Sequence, residues 1–138
     1  MGLVMTKIKL SNALDLHDAS QGRLAPDSVR SVEIEALADT GAIGLCIPEE
    51  IAESLGVRVF THRPARTADG RTIEVPVVGG LEIEVLGRAM GGDAMVLPRG
   101  TQALLGAIQL ESLDLVVVPK TGEVIGNPAH PDGPIVRI

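Results

Sequence analysis

Apolar and polar residues alternate along most of this chain with a period of two. In "SVEIEALA", residues 31–38, Val32, Ile34 and Ala36 fall on one face and Glu33 and Glu35 on the other, the pattern of a half-buried strand. "KIKL", Lys7 to Leu10, reads as a strand before it. "AIGLCI", residues 42–47, is an apolar run short enough for a buried strand. "RTADGRTIEVPVV" predicts a hairpin with Asp69-Gly70 at its tip, and Ile73, Val75 and Val77 alternate along the returning arm. "LEIEVLG" gives another alternating strand, and Asp93 to Leu97 a short one. "LVVVPKTGEVIG" closes as a hairpin that turns at Lys120 to Gly122.

Three stretches break the period. "PEEIAESLG" predicts a helix with Pro48 at its first position, where a missing N–H costs nothing, and Glu49 and Glu50 at the positive end of its dipole. Ile51, Ala52 and Leu55 share its buried face, and Gly56 stops it. A second short helix follows Leu104-Leu105-Gly106. Ser11 to Arg30 has mixed polarity and reads as a long surface hairpin or loop. The chain therefore reads as all-β: a small closed or near-closed barrel with one or two short helices and no βαβ rhythm.

Composition narrows the function. At 138 residues the chain is the size of one domain. The 16 Gly and 9 Pro suit many short elements and tight turns. A net charge of −6 disfavours a phosphate backbone as partner. Phe60 is the one aromatic residue, too few for a base-stacking platform. Cys46 is the only cysteine, so no internal disulfide forms, and it reads as a small buried hydrophobe. No signal peptide and no membrane-spanning run is read, and the expected location is cytoplasmic. His17, His62 and His130 lack ligand-like spacing, so no metal site is expected. No cofactor is called for.

Asp39 stands out. It ends an alternating strand, sits in an almost wholly apolar run, and is followed at once by Thr40 and Gly41. A turn aspartate would explain it in isolation. A weak internal echo sets Asp39 to Gly41 beside Leu104 to Gly106. The ordered set Leu37-Ala38-Asp39-Thr40-Gly41-Ala42-Ile43, then the Ala68-Asp69-Gly70-Arg71 turn, then Leu104-Leu105-Gly106 before a short helix, resembles the retroviral-type aspartic proteases, specifically their single-domain bacterial members. The resemblance covers residues 31–126. It leaves residues 1–30 as an N-terminal strand and long loop joined to the barrel, and residues 127–138 as a tail.

The resemblance implies a retropepsin-like acid-protease barrel that hydrolyses peptide bonds. The chain carries one Asp-Thr-Gly, so it implies a homodimer in which Asp39 of each copy forms the catalytic pair. Thr40 would hydrogen-bond across the axis, and Gly41 would let the backbone approach. Ala42 and the flap residues Ala68, Asp69, Gly70 and Arg71 would meet a peptide or protein substrate. The competing reading is a non-catalytic peptide-binding or dimerisation module on the same scaffold. Two features depart from the viral enzymes: the flap tip is less rich in glycine, and the terminal segments differ, so their dimer interface does not carry over.

Overall fold

The structure, a computed structural model, describes residues 3–138. Nine strands run in chain order: β1 (Met5–Asn12), β2 (Ser31–Ala38), β3 (Cys46–Pro48), β4 (Val59–Arg66), β5 (Thr72–Val85), β6 (Arg88–Leu97), β7 (Ala103–Leu105), β8 (Leu115–Val118) and β9 (Glu123–Gly126). Three short helices interrupt them: α1 (Ala13–Ser20), α2 (Glu49–Leu55) and α3 (Ala107–Ser112). Seven strands form one sheet in the order β1-β2-β7-β3-β6-β5-β4, and β1 also pairs with β5. That extra pairing joins the ends of a six-strand ring, so only β4 stays outside a closed barrel. Closure leaves those six strands without free edges. β8 and β9 form a separate hairpin.

The alternation read along residues 31–38 is the alternation observed. Val32 and Ile34 are half-buried and Ala36 fully buried, while Glu33 and Glu35 are exposed. The barrel is filled by aliphatic side chains, among them Ile8, Leu10, Leu45, Ile47, Leu81, Ile83, Val85 and Leu105. Such a core has few polar atoms to satisfy and is stabilised by area and close packing alone.

The two predicted strands around Gly79-Gly80 are one 14-residue strand, β5. Its pairing with β6 shifts register between Val78 and Leu81, and Gly80 there has φ +72°. A bulge exchanges the faces of a strand. Val78 lies in the barrel core before it, and Leu81, Ile83 and Val85 after it. Val77, one residue off that register, faces a surface cleft instead. β6 is likewise longer than the five residues read for it, spanning Arg88–Leu97.

Residues 11–30 are not a surface loop. They hold the end of β1, helix α1 and a single 3-10 turn at Pro26–Ser28, which brings the helix count to three. Asn12 caps α1 by accepting from the Asp15 N–H at 3.0 Å, and its amide donates to Leu55 O at the end of α2. Asn12-x-x-Asp15 was the available start signal. The helix that follows it buries little, with Leu14 65% exposed, so no apolar periodicity marks it. Pro48 also moves by one position. It is extended, with ψ 155°, and precedes the first helical residue. Gly56 stops α2 in a left-handed conformation, φ +64°, as expected.

Candidate active site

Asp39 follows the last residue of β2, and the barrel holds its backbone. β2 runs parallel to β7, with Leu37 beside Leu104 and Ala38 beside Leu105. The ladder continues one step further, since the Asp39 N–H donates to Leu105 O at 2.9 Å. The sequence echo is therefore a spatial neighbour relation, with Asp39 and Gly106 each ending one strand of a parallel pair. Beyond Asp39 the loop is sewn to α3. Ala107 N–H donates to Ala42 O at 2.8 Å and Ile108 N–H to Ile43 O at 2.9 Å.

Gly106 makes that seam possible. A Cβ at this position would lie 2.4 Å from Gly44 O, 2.6 Å from Gly44 N and 2.8 Å from Ala42 O. Its φ is −93°, so the requirement is close approach rather than backbone freedom. Gly41 shows the same economy on a smaller scale. Its N–H donates to Asp39 Oδ1 at 2.8 Å, and a Cβ there would sit 3.1 Å from that oxygen. Asp39 is half-buried, and Thr40 and Gly41 are exposed. Among the described residues no cation forms an ion pair with Asp39.

A cleft of ≈ 640 Å³ opens beside this loop. One wall is the loop itself from Ala42 to Leu45, with Ile108 and Gln109 of α3 behind it. The other is β4 with the inner face of β5 and β6, including Phe60, Val77, Met90 and Met95. The β4–β5 hairpin is the predicted one. Its tip closes with Thr67 N–H to Arg71 O at 2.8 Å and Gly70 N–H to Thr67 O at 3.0 Å. The Asp69 carboxylate stiffens the turn by accepting from the Thr67 hydroxyl and from Arg71 Nε. These contacts lower the Asp69 pKa, the Thr67 hydrogen bond most and the Arg71 contacts after it. Every residue of β4 except Ala65 is exposed, so it is an edge strand with a free side, and Pro64 on it suits an edge.

The predicted site residues thus fall in two places. Asp39, Thr40, Gly41 and Ala42 lie together in the β2–β3 loop, and the cleft begins at Ala42. Ala68, Asp69, Gly70 and Arg71 form the hairpin tip, whereas the cleft is lined by the arm, Arg63 to Arg66. Reading the chain did not single out Phe60, Met90, Ile108 or Gln109 as cleft residues. They come from three elements far apart in the chain, β4, β6 and α3, and no local pattern marks them.

Cys46 is buried, and burial pushes its thiol pKa up, with the nearby charge of Asp39 adding to the effect. It is a core side chain rather than a nucleophile. His130 is engaged elsewhere, with its Nδ1 in hydrogen-bond contact with the Asp114 carboxylate. Among the described residues no group of three or more His, Cys, Asp or Glu comes together to hold a metal ion. Nor is any helix there long and apolar enough to cross a membrane.

Comparison with known proteins supports what the geometry suggests. A family model described as aspartyl protease matches residues 25–108, well over half of the chain and all of the Asp39 loop, the β4–β5 hairpin and Gly106. No curated protein matches. The closed barrel, the loop sewn across its parallel strands and this match together establish that the chain belongs to the retropepsin-like aspartyl protease family.

Proposed function

We propose that this protein is an aspartic endopeptidase that works as a homodimer, with Asp39 of each copy forming the catalytic pair. One observation carries the reading. A half-buried carboxylate, with a hydrogen bond from the N–H of Gly41 in its own loop and no cation beside it, lies three residues before Ala42, where a cleft large enough for peptide side chains begins. A structural aspartate would be expected to have found a partner.

One Asp39 cannot be acid and base at once. Two carboxylates a few ångströms apart cannot both ionise, so they hold one proton between them. The ionised one takes a proton from water, whose oxygen bonds to the peptide carbon. The protonated one gives its proton to the carbonyl oxygen. The tetrahedral intermediate then breaks its C–N bond as the leaving nitrogen takes the proton that the first carboxyl drew from water, and a hydroxyl of the intermediate returns its proton to the second carboxylate. A two-fold contact brings each Asp39 near its mate. Ile43 is 68% and Ile108 50% exposed beside the loop, an apolar surface that a second copy would cover. Thr40, exposed in one copy, would bond across the axis. The free side of β4 would pair with an extended peptide, and the apolar cleft would take apolar side chains flanking the scissile bond. No cofactor enters this chemistry.

The test is cleavage of a peptide library with and without a transition-state-mimicking inhibitor of aspartic proteases, alongside sedimentation. Inhibitable cleavage by a dimer supports the reading. A strict monomer, or peptide binding without cleavage at any acidic pH, leaves a non-catalytic binding module.

A further inference from the structure

Two buried side-chain amides in this protein are treated differently. Asn12 uses both ends, donating to Leu55 O and accepting from Asp15 N–H. Gln109 is only 3% exposed, and its Oε1 is a buried oxygen without a hydrogen-bond partner. Among the described residues it is the only such side-chain atom. A buried acceptor left unmatched costs its full desolvation penalty, so an apolar residue would suit a purely structural role better.

Its place gives the orphan a use. Gln109 lies on α3, three residues after the Gly106 seam, and lines the cleft. Its amide oxygen and nitrogen each lie 3.9 Å from the Cβ position of Gly44, in the loop that carries Asp39. The terminal amide torsion is soft, so a half-turn presents either the acceptor or the donor.

We propose that Gln109 determines specificity in this cleft: its carboxamide accepts a hydrogen bond from an uncharged, donor-bearing side chain of the peptide, such as Asn, Gln, Ser or Thr, next to the scissile bond. This rests on the peptidase reading and adds one uncharged polar subsite to a mostly apolar cleft whose charged members are Arg63, Arg66 and Asp93. Aspartate and glutamate lack the donor when ionised. Lysine and arginine carry it but would meet Arg63 and Arg66, which also line the cleft. A site built to bond a polar group discriminates strongly against an apolar isostere, because its own buried atom is then left unpaired.

Asn and Leu are near-isosteric, so peptides differing only in that pair read the subsite directly. The wild-type protein should show about tenfold higher kcat/KM for the Asn peptide, the factor that one net hydrogen bond supplies. Gln109→Leu and Gln109→Met should each remove or invert that ratio, and should melt no lower than wild type, since the orphan oxygen is gone. Having both variants covers the case in which one packs badly. Binding of the same peptides to Asp39→Asn separates the two claims. An Asn preference in binding without wild-type cleavage keeps the subsite and defeats the peptidase. Cleavage indifferent to Asn or Leu at every position keeps the peptidase and overturns the subsite. Unchanged preference in the Gln109 variants with a shifted monomer–dimer equilibrium would assign the donor to the second copy, which also overturns it.

Discussion

Asp15 and Asp39 each follow a barrel strand by a few residues, and the fold treats their carboxylates in opposite ways. Asp15 accepts from Arg30 three times: from its backbone N–H at 3.0 Å, from Nε at 2.8 Å and from Nη2 at 3.0 Å. The Arg30 guanidinium packs in turn on Gly56, where a Cβ would lie 1.9 Å from Nη1. These contacts, the side-chain hydrogen bonds most, hold the Asp15 pKa down at about 2. Asp39 has an N–H of its own loop and no cation. One carboxylate is locked in its charged form to tie α1 to the barrel. The other keeps one hydrogen bond, from its own loop, and has no cation partner among the described residues. Burial alone does not separate the two roles, since both are at least partly buried. The partner set does.

The sharpest way to break this contrast is to remove each charge in turn. Asp39→Asn is expected to lower peptide cleavage by about a thousandfold or more, the scale of losing a proton-transfer group, with the melting curve almost unmoved. Asp15→Asn should do the reverse, lowering the urea midpoint while the folded fraction keeps its specific activity. Cleavage assays and denaturation curves on both variants read the exchange. If Asp39→Asn still cleaved, Asp39 would join Asp15 as a structural residue.

Next in size is the seam beneath Asp39. Gly106→Ala puts a methyl group into Gly44 and Ala42 backbone atoms that cannot all retreat. The expected cost is about 1–3 kcal/mol or more from overpacking, seen in urea unfolding. Activity should fall further than stability explains, because the loop that aims the carboxylate must move.

The contrast also predicts different pH dependences for stability and for cleavage. Asp15 has a folded pKa below its unfolded value, so its contribution to stability is fully present above the ordinary carboxylate range near 4. That contribution fades as pH falls from there toward about 2. Cleavage by the proposed Asp39 pair, which would need one shared proton, should instead rise on acidification. Activity and stability should therefore part company only below about pH 4, and Asp15→Asn should flatten the acid limb of the stability curve alone. Combined pH profiles of initial rate and melting temperature would show this.

The smallest effect belongs to the hairpin tip. Arg71→Ala breaks an exposed pair with Asp69, whose partners are 73% and 58% exposed at the side chain. Exposed pairs contribute little to stability, so the melting temperature should stay put. A small rise in KM would indicate that the stiffened tip helps to cover the peptide.

Much of the fold was legible because the signals were local. Alternation in residues 31–38, the Asp69-Gly70 and Lys120 to Gly122 turns, and the Gly56 stop depend on neighbours within a few positions. The Asp39 loop was legible for the same reason, as a strand running straight into Asp-Thr-Gly. Helix α1 was not, because its apolar face is weak and its stability comes from long-range ties, Asn12 to Leu55 and Asp15 to Arg30. The single long β5 was not either. A two-glycine bulge reads as a break in sequence, while in the barrel it lets one strand serve the core and the cleft in succession.

Residue order alone determined that this chain would form a small β-barrel, with an aspartate at the end of a strand and a hairpin after it. Spacing and turn chemistry act over a few residues, and a linear reading reaches that far. The tertiary structure alone decided which side chains line the cleft beside the aspartate's loop. Closure of β1 on β5, the Gly106 seam and the turn of β5 at its bulge bring Phe60, Met90 and Gln109 to one cleft from positions far apart in the chain. A carboxylate's role is set by which groups lie within a few ångströms of it, and those distances exist only once the chain has folded.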